Sequence, residues 1–133
     1  MKRLFLAFAL LILAAVPAAA QASVEGRWTN PKRSVVIEVG RCGQAWCGTV
    51  VWASPKAKAN ARKGGTDNLI GTRILSGARP VGPNTYKGRA FVPRRNIQSS
   101  ATIRQTGPNA MVVEGCAIAG LLCKEQRWVR VRG

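Results

Sequence analysis

The sequence contains no histidine, and its carboxylates number only five: Glu25, Glu38, Asp67, Glu114 and Glu125. The general base of a hydrolytic enzyme is usually a histidine or a member of a carboxylate pair. Without histidine a Ser-His-Asp triad is excluded, and the five acids show no pairing pattern. The redox motif Cys-x-x-Cys is also absent. These absences favour a binding or structural protein over an enzyme.

Long apolar runs are equally scarce, and the one at the N-terminus is short. Lys2 and Arg3 precede an apolar run from Leu4 to Val16, and two small-x-small cleavage patterns follow, Ala18-Ala19-Ala20 and Ala20-Gln21-Ala22. A transmembrane helix needs about 20 apolar residues, so this run is too short to span a bilayer. The pattern predicts a cleaved signal peptide over residues 1–22 and a single domain over residues 23–133. The expected location is therefore periplasmic or secreted.

Four cysteines remain in the predicted mature domain, and an even number in an exported chain indicates disulfides. Three connectivities are possible, and closeness in sequence favours Cys42 with Cys47 and Cys116 with Cys123. The alternative is a four-cysteine zinc site, but the spacing fits zinc ribbons poorly. No metal or cofactor is predicted.

The strongest compositional feature is positive charge. The full chain has a formal net charge of +16, and loss of Lys2 and Arg3 would leave 19 basic residues against five acids. Eleven basic residues and a single acid, Asp67, lie between Lys56 and Arg104. Such a field attracts polyanions. Behind a signal peptide these would be anionic lipids, cell-wall polymers or acidic polysaccharides, not nucleic acid. The alternative is a solvated surface with no partner.

Hydrophobic alternation with period two dominates the domain, most clearly in Ser34–Trp52, which reads SVVIEVGRCGQAWCGTVVW. Two strand-like runs flank a tight turn there, and the second is predicted to place Trp46, Gly48, Val50 and Trp52 on one face. Further strands are predicted at 24–29, 69–75, 85–92, 97–105, 110–116 and 124–131. Residues 53–68 and 76–84 are predicted to be loops, and no helix is predicted. Eight short strands indicate an all-β, antiparallel, up-and-down barrel.

Several short motifs carry a family resemblance. Gly26-x-Trp28, the run from Arg41 to Trp52, residues 68–71 and the closing Trp128-x-Arg130 together resemble DUF2147, a bacterial exported family of unknown function. Its members resemble lipocalins and other calycins, whose first-strand tryptophan packs against an arginine from the last strand. The resemblance implies a barrel floor built from Gly26, Trp28 and either Arg130 or, in a shifted register, Arg127.

One segment departs from longer members of that family. They carry a Tyr-Asp-Pro segment where this chain has Tyr86–Pro93, which contains no acid. Any role of that aspartate is therefore absent or different here. The shorter length also implies a small cavity or none.

Two functional hypotheses follow. The first is a binding protein for a small apolar or anionic molecule, because barrel mouths form apolar pockets. Its candidate ligand-binding residues are Trp46, Trp52, Tyr86 and Phe91, although ordinary core packing would also explain each of them.

The second hypothesis is docking on anionic lipid or cell-wall polymer without a small-molecule ligand. Loops of an up-and-down barrel alternate between its two ends, so the loops after strands three and five should emerge together. The resulting basic rim is predicted to contain Lys56, Lys58, Arg62, Lys63, Arg94 and Arg95.

Overall fold

A computed structural model of the protein describes residues 23–117 and 122–132, so the predicted signal peptide lies outside the described residues. Eight strands form a closed barrel in which each pairs antiparallel with the next, and β1 pairs with β8. The elements are β1 Gly26–Thr29, β2 Val35–Cys42, β3 Ala45–Ala53, α1 Pro55–Lys63, β4 Arg73–Gly82, β5 Thr85–Val92, β6 Ile97–Gly107, β7 Ala110–Ala117 and β8 Leu122–Arg130. The predicted eight-stranded up-and-down barrel is confirmed. In the described ranges, no helix has both the length and the apolar character needed to cross a membrane.

The two predicted disulfides are also confirmed. Cys42 and Cys47 are bonded across the β2–β3 hairpin, whose turn contains Gly43 at φ 68°, a conformation that glycine tolerates best. Cys116 and Cys123 face each other on β7 and β8 and form the second bond. Each bridge therefore joins neighbouring strands.

A register shift in β3 corrects the predicted placement of Trp52. Ile37 pairs with Val50, whereas Val36 pairs with Trp52, so Val51 is an extra residue in β3. Such a bulge reverses the alternation of the side chains that follow it. Trp46 and Val50 are buried inside the barrel, but Trp52 lies on the outer face and is 48% exposed.

The prediction of a loop over residues 53–68 is wrong, because residues 55–63 form α1. The Ser54 side chain caps the helix by accepting a hydrogen bond from the Ala57 amide at 3.1 Å, and Pro55 occupies the first turn. Ala57 and Ala61 pack against the barrel core. Alanine favours helices but is small, so the apolar face of α1 is narrow and was missed in the sequence pattern.

The fourth strand also differs from the prediction, since β4 covers Arg73–Gly82 instead of 69–75. Leu69 is buried, but it lies in the connection before the strand. The pairing with β5 shifts between Ser76 and Arg79, and Gly77 has a φ of 61°. A second shift follows Pro80, and the two irregularities accommodate this glycine and proline within the strand. The loop prediction for residues 76–84 is therefore wrong over most of its length.

The strand order gives the barrel two distinct ends. The α1 end carries α1, the connection 30–34 and the turn 93–96, whereas the floor end carries the turns 43–44, 83–84 and 108–109. Large side chains fill the space between them. The buried interior includes Trp28, Ile37, Val39, Trp46, Val50, Leu75, Ile103, Met111 and Trp128.

Candidate functional site

The α1 helix lies across one end of the barrel. Near its start, the Ser54 amide donates a hydrogen bond to the Ser34 carbonyl at 2.8 Å. Beyond its last turn, the Thr66 hydroxyl donates to the Pro93 carbonyl at 3.2 Å. The helix therefore bridges from the β1–β2 connection to the β5–β6 turn, and Ala61, which is 2% exposed, faces the barrel core.

Gly64 lets the helix approach the β5–β6 turn closely. It ends α1, and its amide donates to the carbonyls of Asn60 and Ala61. A Cβ atom at this position would overlap the backbone of Arg94. The contact brings the C-terminal turn of α1, with Arg62 and Lys63, next to Arg94 and Arg95.

This packing gathers basic side chains at the α1 end. The six residues of the predicted rim are all on α1 or the β5–β6 turn, and all are exposed except Lys58, which is half-buried. Two residues that sequence reasoning missed, Lys32 and Arg33, are exposed in the β1–β2 connection at the same end. We call the eight residues the basic end: Lys32, Arg33, Lys56, Lys58, Arg62, Lys63, Arg94 and Arg95.

The cations of the basic end have no carboxylate partner within the described part of the chain. The two ion pairs among the described residues, both at 3.3 Å, lie on the outer wall of the barrel and join Arg27 to Glu38 and Arg104 to Glu125. Asp67, in the connection after α1, is exposed and makes no ion pair among these residues. Like charges gathered at one end without neutralisation create a positive potential that concentrates anions over about a Debye length, roughly 8 Å at physiological salt.

The four predicted ligand-binding aromatic residues do not converge on one site. Trp46 is buried next to the β2–β3 turn, where the Arg41 guanidinium lies 4.3 Å from its ring centroid. Tyr86 is half-buried and packs against the core near the β4–β5 turn, so these two residues lie inside the barrel at its floor end.

The other two aromatic residues lie towards the α1 end on the outside. Trp52 faces outwards because of the bulge in β3. Phe91 follows Ala90, which packs against the core, so alternation along β5 directs Phe91 to the outer face. Neither side chain lines the interior, which corrects the expectation that all four share a mouth.

Two hollows among the described residues are shallow surface grooves. One, of about 390 Å³, runs between β1, β2 and the end of β8, and includes Gly26, Glu38 and Arg130. The other, of about 540 Å³, lies beside the β6–β7 turn and includes Pro108 and Arg127. Both are at the floor end and outside the barrel, so neither is the interior pocket expected for an enclosed ligand.

The barrel floor contains two of the predicted residues in direct contact. The Arg130 guanidinium lies 4.3 Å from the Trp28 ring centroid, and Gly26 leaves room for this side chain, since a Cβ there would collide with it. Arg127, the alternative partner, pairs with Val112 and is exposed. Gln105 is also buried close to the floor, where its Nε2 lies 3.4 Å from the Ser23 carbonyl and its Oε1 finds no donor in the described residues.

One group of potential metal ligands occurs among the described residues. Glu114 lies near Cys116 and Cys123, with the ligand atoms within 4.8 Å of one another. The two sulfur atoms are bonded to each other in the disulfide, so neither is a thiolate able to bind a metal. A single carboxylate remains, which is too few ligands for a structural zinc site.

The topology and packing define a lipocalin-like β-barrel. HP1028 from the human pathogen Helicobacter pylori, described as belonging to the lipocalin family, is similar in structure with a TM-score of 0.66. The match covers 84% of this chain and 85% of that chain at 14% sequence identity, a level that shows the fold alone. The chain belongs to the DUF2147 family, described as an uncharacterized protein conserved in bacteria, whose model matches residues 26–130. Comparison with curated proteins found no match.

Proposed function

We propose that this protein is exported and uses the basic end to dock on an anionic surface of the bacterial envelope. The observation that carries the proposal is the gathering of eight cations at one end of the barrel, without a carboxylate partner among the described residues. Two disulfides support an oxidising location outside the cytoplasm. The protein acts as a binding protein and not as an enzyme, in line with its lack of histidine.

The filled interior is the reason for placing surface docking ahead of an internal ligand. Three tryptophans, Trp28, Trp46 and Trp128, are each at most 7% exposed and belong to the buried core, so they take up interior volume that an enclosed ligand would compete for. At the α1 end, Ala61 packs over the same core. The charge, by contrast, is on the outside, where it meets large anionic partners. Arginine in particular forms paired hydrogen bonds with phosphate and carboxylate.

Vesicle binding tests the proposal. The protein is mixed with vesicles of phosphatidylcholine alone or with phosphatidylglycerol added, and with an acidic polysaccharide, at low and at physiological salt. We expect binding to both anionic materials, steeply weakened by salt. The test variant removes four cations of the basic end: Arg62→Gln, Lys63→Gln, Arg94→Gln and Arg95→Gln.

A matched control separates the basic end from net charge. It removes four exposed cations that lie on the barrel wall or near the C-terminus: Arg79→Gln, Lys87→Gln, Arg127→Gln and Arg132→Gln. Both variants lose the same charge, so only a localised site responds differently to them. The proposal is wrong if the wild type shows no preference for anionic material at low salt, or if the two variants weaken binding equally.

A small molecule held inside the barrel is the second candidate function. It is favoured by the orphaned Gln105 Oε1, an acceptor that a hydroxyl or amide donor of a ligand would satisfy. The expected ligand is small and mainly apolar with one polar group. Native mass spectrometry of the protein purified from periplasm should then show a bound mass in the wild type that is lost in Gln105→Met. Finding each protein only at the mass of its own unliganded chain would reject this candidate.

A further inference from the structure

Large apolar side chains are exposed at the same end as the cations. Among the described residues, the large hydrophobic residues most exposed to solvent are Trp52, Ile70, Val81 and Ile97, at 48%, 46%, 55% and 39%. Trp52 lies three residues before the start of α1, and Ile97 follows the β5–β6 turn. Ile70 lies beside the end of β3, because the Gly71 amide donates to the Val50 carbonyl at 2.8 Å. Only Val81 is near the floor end, beside the β4–β5 turn.

The exposure of Trp52 is built into the fold. Regular alternation would place Trp52 inside with Trp46 and Val50, but the extra residue Val51 turns it outwards. Nearly half of the largest apolar side chain is therefore left in water, close to Lys56 at the start of α1. A half-exposed tryptophan at the same end as the cations is well suited to a membrane interface, where its ring sits among headgroups.

We infer that the anionic surface is a lipid bilayer, and that Trp52, Ile70 and Ile97 enter its headgroup region while the basic end binds the phosphates. This inference rests on the proposed function and names its partner. A hydrated polysaccharide would neutralise the cations but would offer the three apolar side chains nothing in place of water. A bilayer with anionic lipid suits both the cations and the apolar side chains, because its phosphates bind the cations and the region beneath its headgroups removes the apolar side chains from water.

Partition into vesicles measures the contribution of the apolar residues. The triple variant Trp52→Ser, Ile70→Ser and Ile97→Ser keeps every cation, and we expect its partition coefficient for phosphatidylglycerol-containing vesicles to fall on the order of tenfold, since binding scales with inserted apolar area. Binding to the acidic polysaccharide should not change. The matched control Val81→Ser removes an exposed apolar side chain at the opposite end and should bind vesicles as the wild type does.

Fluorescence quenching reports insertion directly. Lipids brominated on the acyl chain quench only tryptophans that approach them, and Trp28, Trp46 and Trp128 are buried in the barrel. We expect such vesicles to quench the wild type, and to quench Trp52→Phe far less although it remains bound. The single variant Trp52→Phe also tests the inference if the triple variant fails to fold.

The outcomes separate this inference from the proposed function. If the wild type binds anionic vesicles through the basic end, but the triple variant binds equally well and brominated lipids quench nothing, the bilayer inference is overturned and docking on charge alone remains. If the wild type binds the polysaccharide but not vesicles, the partner is a polymer and the inference is again wrong. If it binds neither, the proposed function itself fails.

Discussion

Arg130 and Trp28 face each other where the last strand meets the first. They are paired residues of β8 and β1, and the Arg130 guanidinium lies 4.3 Å from the ring centroid of Trp28. The same guanidinium donates hydrogen bonds to the carbonyls of Ser23, Glu25 and Pro108 at 2.7, 2.6 and 2.9 Å. One side chain thus ties the start of the domain to its closing strand and to the β6–β7 turn.

Truncation of this pair should destabilise the barrel strongly. Trp28 is fully buried, and its Nε1 donates to the Val24 carbonyl at 2.8 Å. We expect Trp28→Ala to lower the free energy of unfolding by about 3–5 kcal/mol. Arg130→Ala should lower it by about 2 kcal/mol, through lost stacking and hydrogen bonds. Urea denaturation of both single variants and the double variant measures their coupling.

Arg127→Ala is the control for this double-mutant cycle of Trp28 and Arg130. Arg127 is exposed on β8 and pairs with Val112, so its removal should change stability by less than about 0.5 kcal/mol. Strictly additive effects of the Trp28 and Arg130 changes would contradict a direct interaction between them.

The disulfides should contribute modestly and separately. Their cysteines are only five and seven residues apart in sequence, so each closes a short loop and removes little entropy from the unfolded chain. We expect the double change Cys42→Ala and Cys47→Ala to cost about 2 kcal/mol. Urea denaturation checks this value, and non-reducing peptide mapping of the wild type should recover both local pairs. A peptide joining Cys42 to Cys116 would contradict the structure.

Gly64→Ala tests the packing of α1 against the β5–β6 turn. Gly64 has a φ of −83°, where alanine would ordinarily stabilise a protein by about 0.4–1 kcal/mol. Here the added Cβ would overlap the Arg94 backbone, so we expect destabilisation of about 1–3 kcal/mol. In Gly40→Ala, the control, the Cβ meets no atom within 4 Å, and stability should be unchanged or slightly raised. A stabilising Gly64→Ala would show that the helix does not rest on this turn.

Processing of the N-terminus can be checked by mass. The basic residues Lys2 and Arg3, the short apolar run and the small residues that follow predict cleavage after Ala20 or Ala22. Intact-mass measurement of protein recovered from the periplasm should show that loss, and the mature chain should carry both disulfides. Recovery of a chain that still begins at Met1 would remove the case for export.

Much of the barrel could be predicted from short-range patterns. Period-two alternation identified β2, β3, β5, β6 and β7 closely, because the inner and outer faces of a barrel wall impose it directly on the sequence. Local cysteine spacing favoured the correct one of three possible disulfide pairings, since each bridge joins neighbouring strands. The alternation of loops between two ends also predicts that residues 53–68 and the β5–β6 turn lie at one end, the end that carries α1 in the structure.

Other features depend on contacts between distant segments, which the sequence pattern does not express. Ala61 stabilises α1 because a core lies beneath it. Gly77 and Pro80 are accepted in β4 because its pairing with β5 shifts register at Gly77 and again after Pro80. The sequence by itself determined the strand number, the bridges and the positive charge, all of which follow from composition and local periodicity. Only the tertiary structure decided that the interior is filled and that one extra residue, Val51, turns Trp52 out to the basic end. Both outcomes depend on register between strands, which is settled by packing across the whole barrel.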